Sequence, residues 1–133
     1  MKTALIVDDE PLVRRELREV LERAGYAVAE ACSGREALQV LSDVKPAVLI
    51  TDIFMPDSDG IELIRTVKSC HINVRIVAMS SGGYFGFPNY PALATKLGAD
   101  LAYDKPLDLK RFLDDLNRLT SSETATAEPA VRV

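Results

Sequence analysis

The 133-residue sequence has no tryptophan, only two cysteines and 6% aromatic residues. Two cysteines, Cys32 and Cys70, are too few to staple a small disulfide scaffold, and they show no metal-ligand spacing. A reduced, cytoplasmic setting is therefore expected, with both thiols acting as small semi-buried fillers. Basic excess is also missing. The net charge is −4 and the isoelectric point is near 5.0, which argues against a nucleic-acid-binding surface. Long apolar runs are absent too. Met1–Val7 is interrupted by Asp8, Asp9 and Glu10 before it can act as a signal peptide. Nothing later approaches the roughly 18 apolar residues of a membrane span. What is present, 47% hydrophobic and 27% charged residues, suits one globular domain with a proper core.

Short apolar runs alternate with helical periodicity. The runs Thr3–Val7, Tyr26–Ala31, Ala47–Thr51, Val74–Met79 and Leu101–Tyr103 read as strands. Those rich in Val, Ile and Leu read as strands covered on both faces. Between them, Pro11–Ala24 carries an apolar stripe at helical spacing, with Pro11 suited to the first turn and Gly25 to the stop. Further helices are predicted over Arg35–Leu41, Ile61–Cys70, Pro91–Leu97 and Leu109–Leu119, the last capped by Asp108. Strict strand–helix alternation implies an α/β fold of the doubly wound, flavodoxin-like kind: a five-stranded parallel sheet in order 2-1-3-4-5 with helices on both faces. The domain is expected to span 1–119. The segment 120–133 is small, polar and aperiodic, and reads as a disordered tail.

In such a sheet, ligands bind beyond the carboxyl ends of the strands, near the point where strands 1 and 3 lie side by side. Strand 1 ends in Asp8-Asp9-Glu10, strand 3 in Asp52, strand 4 in Ser80-Ser81 and strand 5 in Asp104-Lys105-Pro106. Any one acid there can serve simply as a helix cap, Asp9 or Glu10 for the helix beginning at Pro11. Three carboxylates in one cleft repel one another, and a hard cation resolves the conflict. Mg²⁺ suits oxygen ligands while keeping waters and phosphate oxygens.

The stretch Leu5-Ile6-Val7-Asp8-Asp9-Glu10-Pro11, the stretch Thr51–Pro56 with Asp59-Gly60, Ser80 and Lys105-Pro106 together resemble the response regulator receiver domain of two-component signalling. The resemblance covers nearly the whole chain. It implies that Asp52 is the phosphoacceptor, taking a phosphoryl group from a phosphohistidine on a histidine kinase or phosphotransfer protein. It further implies that Asp8, Asp9, Asp52 and the backbone carbonyl of Phe54 hold Mg²⁺. Ser80 would bind one phosphoryl oxygen and report phosphorylation, Lys105 would pair with another, and the Lys105-Pro106 peptide would be cis. Phosphoryl transfer is chiefly positioning and charge stabilisation, which this set of residues supplies.

Two departures from the family stand out. The usual switch aromatic, three residues before the lysine, is Ala102 here, with Tyr103 one residue later. Strand alternation sends Tyr103 to the opposite face, so it cannot simply take over that role. The loop after Ser80 is longer than the common form and holds Tyr84, Phe85, Phe87 and Tyr90. These rings either read out phosphorylation to a partner, with Tyr84 and Phe85 foremost, or pack down as a local core. The loop's glycines form no Walker-type phosphate loop. Phe54 and Gly82, two residues beyond Asp52 and Ser80, leave the acyl-phosphate lifetime open.

His71 reads as a loop residue rather than a phosphodonor. The alternating charges Arg14, Arg15, Glu16, Arg18, Glu19, Glu22 and Arg23 read as a solvated helix face, with Leu12 and Val13 at an exposed start where kinases commonly dock on this family. With only a polar tail after 119, the expected output is contact with a downstream protein target or onward phosphotransfer in a phosphorelay, with a phosphorylation-dependent dimer as an open alternative. A pseudo-receiver acting as a phosphorylation-independent binding module is the competing reading. A phosphohydrolase is disfavoured because Phe54 stands where a second acid would be needed.

Overall fold

In the computed structural model, which describes residues 2–53, 55, 60–80 and 90–124, five strands and five helices alternate along the chain. They are β1 (Thr3–Val7), α1 (Pro11–Arg23), β2 (Ala27–Ala31), α2 (Gly34–Val44), β3 (Val48–Asp52), α3 (Gly60–Ser69), β4 (Arg75–Ser80), α4 (Tyr90–Leu97), β5 (Leu101–Asp104) and α5 (Leu109–Thr124). All strand pairings are parallel and the order is β2-β1-β3-β4-β5, as the alternation predicts.

Side chains alternate across the sheet and build a core on each face. Ala4 and Ile6 of β1, with Val48, Ile50, Val77 and Met79, bury against Leu17 and Leu21 of α1 and Phe112 and Leu116 of α5. Leu5, Val7, Leu49, Ile76 and Ala78 point the other way, onto Ala37 and Leu41 of α2 and Leu63, Ile64 and Val67 of α3. Strands β1, β3 and β4 are therefore covered on both faces, which is why they read as unbroken apolar runs. Helix starts follow local chemistry. The Ser33 hydroxyl accepts from the Glu36 amide at 3.2 Å, and Asp108 Oδ1 accepts from the Arg111 amide at 3.2 Å. Pro11 stands in the first turn of α1, but the Glu10 side chain at its N-cap makes no capping bond. Glu10 thus holds the N-cap position through its backbone alone, its carbonyl accepting from the Arg14 amide at 3.2 Å.

Three expectations need correction. α5 continues to Thr124 rather than stopping at Leu119. Thr120 is buried, its hydroxyl donates to the Leu116 carbonyl at 3.1 Å and lies 3.2 Å from Tyr26 Oη, and its carbonyl accepts from Lys2 Nζ at 2.8 Å. Tertiary partners thus carry the helix through a Thr-Ser-Ser run of weak intrinsic propensity. Cys32 and Cys70 are exposed, not semi-buried, because each falls just outside an element, past the edge of the core. Finally, the charged face of α1 is not wholly solvated. Arg14 and Arg18 both pair with Glu30 of β2, at 2.9 and 2.6 Å.

Candidate functional site

The register sets Val7 beside Thr51, so the residues that follow, Asp8 and Asp52, emerge at the same end of neighbouring strands. Asp8 is fully buried, Asp52 nearly so, and Asp9 is exposed. Asp8, Asp9 and Asp52 each offer a carboxylate oxygen, all within 4.8 Å of one another. This is a hard, oxygen-only donor set open to solvent on one side, which fits a Mg²⁺ ion that keeps several waters. Phe54, whose carbonyl was expected to complete the set, lies outside the described residues.

Lys105 enters from the far edge of the sheet. Its Nζ donates to Asp8 Oδ2 at 2.9 Å and to Asp52 Oδ2 at 3.2 Å, and stands 3.8 Å from Glu10 Oε1. Burial pushes its pKa down, but the hydrogen bond to Asp8 and the charge of Asp52 outweigh that and hold it above the ordinary lysine value. The ammonium is therefore fixed as a cation between two carboxylates, and it offsets part of their repulsion. The Lys105-Pro106 peptide is cis.

Backbone geometry holds the acids in place. The Asp8 amide donates to the Ala31 carbonyl at 3.2 Å, while Asp8 Oδ1 accepts from the Glu10 amide at 2.9 Å. Below Asp52, the Ile53 amide donates to the Met79 carbonyl at 2.8 Å and the Gly60 amide to the Ile53 carbonyl at 2.7 Å. A β-carbon at position 60 would sit 2.0 Å from the Asp52 carbonyl oxygen, so only glycine lets α3 start this close to the acid.

Ser80 ends β4 fully buried, paired in register with Asp104, and its Oγ lies 3.5 Å from Asp104 Oδ1. Tyr103 turns to the α1/α5 face, where its hydroxyl donates to Asp115 Oδ2 at 2.6 Å and its ring stands edge-on to Phe112 at 5.9 Å. Ala102 packs on the opposite face. The alternation argument about Tyr103 therefore agrees with its position. Tyr84 and Phe85 lie outside the described residues.

The family model of the response regulator receiver domain matches residues 4–117. The chain belongs to that family. Its relatives include the chemotaxis protein CheY of Thermotoga maritima, 34% identical over 90% of this chain and 98% of that one. Sporulation initiation phosphotransferase F of Bacillus subtilis is 30% identical over 86% and 90%. The crystal structure of a putative response regulator from Chloroflexus aurantiacus superposes with a TM-score of 0.82 at 30% identity, over 90% of this chain and 98% of that one. The receiver domain is a signalling phosphoacceptor module, which agrees with an acid cluster at the strand ends and a lysine across it.

The structure brings Asp8, Asp9, Asp52, Ser80 and Lys105, the residues expected from the sequence, to one end of the sheet. The sequence reading does not connect Arg14 and Glu30 to that end. Arg14 Nη1 donates to the Asp8 carbonyl at 2.7 Å while its Nε holds Glu30. The available signal was Glu30 itself, a lone charge in the otherwise apolar strand Ala-Val-Ala-Glu-Ala. A cavity of about 360 Å³, lined by Val13, Leu17, Met79, Pro106 and Leu107, opens beside Lys105. A larger one of about 750 Å³, lined by Leu41, Lys45 and Ile72, lies at the opposite end of the sheet and plays no part in this site.

Proposed function

We propose that this receiver domain accepts a phosphoryl group on Asp52 from a phosphohistidine of a kinase or phosphotransfer protein, in a Mg²⁺-dependent reaction in the cytoplasm. The observation that carries this reading is Lys105 Nζ, held between Asp8 and Asp52 within a cluster of three acids. An Asp52 carboxylate oxygen forms the new O–P bond as the N–P bond to the donor histidine breaks. The electron pair of that bond stays on the imidazole, which takes a proton from water. Lys105 is a point charge that would exchange its bond to the Asp52 carboxylate for one to a phosphoryl oxygen and balance the negative charge there. Asp8, Asp9 and Asp52, with the Phe54 carbonyl, would hold Mg²⁺, which when bound supplies charge neutralisation for the phosphoryl group.

Ser80 would bind a second phosphoryl oxygen and carry the signal. Phosphorylation adds about two negative charges and three acceptor oxygens, and the Ser80 hydroxyl would move from Asp104 toward them. The donor would dock at the start of α1, where Leu12 is 74% exposed and Val13 lines the cavity next to Lys105. The output would be protein contact or onward phosphotransfer, in keeping with the chemotaxis and phosphotransferase relatives, which the chain matches over nearly their whole length.

The test is labelling by a phosphorylated histidine kinase or a small phosphodonor, with Mg²⁺ and with chelator. Wild type is expected to take acid-labile label only with Mg²⁺, and Asp52→Asn to take none. Undiminished labelling of Asp52→Asn sinks the assignment. Absence of labelling in wild type favours the pseudo-receiver reading instead.

A further inference from the structure

Asp9 is the exposed member of the acid cluster, and its position depends on the peptide that joins it to Asp8. That peptide is planar, so fixing the Asp8 carbonyl oxygen fixes the nitrogen and Cα of Asp9 as well. One side chain does this. Arg14 Nη1 donates to the Asp8 carbonyl at 2.7 Å, and the same guanidinium is aimed by Nε donating to Glu30 Oε1 at 2.9 Å. The Arg14 side chain is only 19% exposed, and Glu30 is held in turn by Arg18 Nε at 2.6 Å. The planar guanidinium fork thus ties the turn carrying Asp8 and Asp9 to β2, and no lysine can make both bonds from one plane.

We propose that Arg14, aimed by Glu30, is a positioning residue for the cation site, holding the Asp8–Asp9 peptide so that both carboxylates converge on Mg²⁺. The inference rests on the Mg²⁺ reading above. Partners that orient metal ligands commonly change affinity by about 10- to 100-fold when removed.

The sign of the effect separates positioning from simple charge. Arg14 is a cation near an acidic cluster, so deleting its charge should tighten cation binding if electrostatics alone mattered. Positioning gives the opposite direction. Mg²⁺ binding to the unphosphorylated protein is measured by titration calorimetry, alongside Mn²⁺ binding by electron paramagnetic resonance.

The expected result is a dissociation constant raised at least about tenfold in Arg14→Gln. A clear rise is also expected in Arg14→Lys, which keeps the charge but loses the fork. Arg14→Lys decides the matter if Arg14→Gln does not fold, because it holds the charge constant while removing the fork. Glu30→Gln should show a smaller rise, since its remaining amide oxygen can still accept from Arg14 Nε. Unchanged or tighter binding in folded Arg14→Gln, or unchanged binding in Arg14→Lys where that variant decides, overturns the proposal while leaving the functional reading intact. A wild-type protein that binds no divalent cation overturns both.

Discussion

Tyr103 shows how one side chain can be held by burial and a hydrogen bond at once. Its ring packs edge-on to Phe112, and its hydroxyl donates to Asp115 Oδ2 at 2.6 Å, while Arg118 also pairs with Asp115. Burial first, then the hydrogen bond to Asp115, pushes the phenol well above the ordinary tyrosine range. Because the folded-state value is raised, this contribution to stability is complete below about pH 10, the unfolded value, and is lost as pH rises through the folded value. An ultraviolet phenolate titration of wild type minus Tyr103→Phe should show a transition displaced to high pH. Asp115→Asn should bring that transition back toward the ordinary range. At neutral pH, Tyr103→Phe should cost about 1 kcal/mol in denaturant unfolding. A Tyr103 that titrates like a free phenol contradicts the packing described.

At the scale of elements, α5 is longer than its apolar periodicity suggests. Its last turns are tied to the sheet through Thr120, Tyr26, Asn117 and Lys2. Thr120→Val keeps the shape but leaves the buried Tyr26 hydroxyl with a weaker set of partners. A loss of about 1–2 kcal/mol is expected, seen as a fall of several degrees in melting temperature. An unchanged melt would mean that the helix end contributes nothing to stability. Strand positions were legible because β1, β3 and β4 are buried on both faces and so spell continuous apolar runs. The acids were legible because a strand-end carboxylate has no place in such a run. The end of α5 was not, since Thr120-Ser121-Ser122 has the composition of a tail and only distant residues keep it helical. The Arg14–Glu30 pair was hidden for a related reason. On a helix face of alternating charges, nothing local marks which arginine reaches another strand.

The site is a property of the whole molecule. Asp8 and Asp9 follow β1, Asp52 ends β3 and Lys105 follows β5, so the cluster exists only once the sheet has assembled. A cation that binds this arrangement but not the unfolded chain must stabilise the fold by mass action, by about 2.7 kcal/mol at a concentration 100 times its dissociation constant. Mg²⁺ should therefore raise the melting temperature by several degrees and a chelator should reverse it. Asp9→Asn should blunt the shift, and a melt indifferent to Mg²⁺ would contradict the site. The same assembly sets a lysine against the Asp52 carboxylate and ends the neighbouring strand β4 in a buried serine.

The most direct test is to locate the phosphoryl group itself. Wild-type protein is treated with a small phosphodonor and Mg²⁺, the acyl phosphate is reduced with borohydride, and the modified residue is mapped by peptide mass spectrometry. Homoserine at position 52 is the predicted result. Modification at Asp8, Asp9 or His71 instead, or no Mg²⁺-dependent modification at all, would contradict the assignment of Asp52 as the phosphoacceptor.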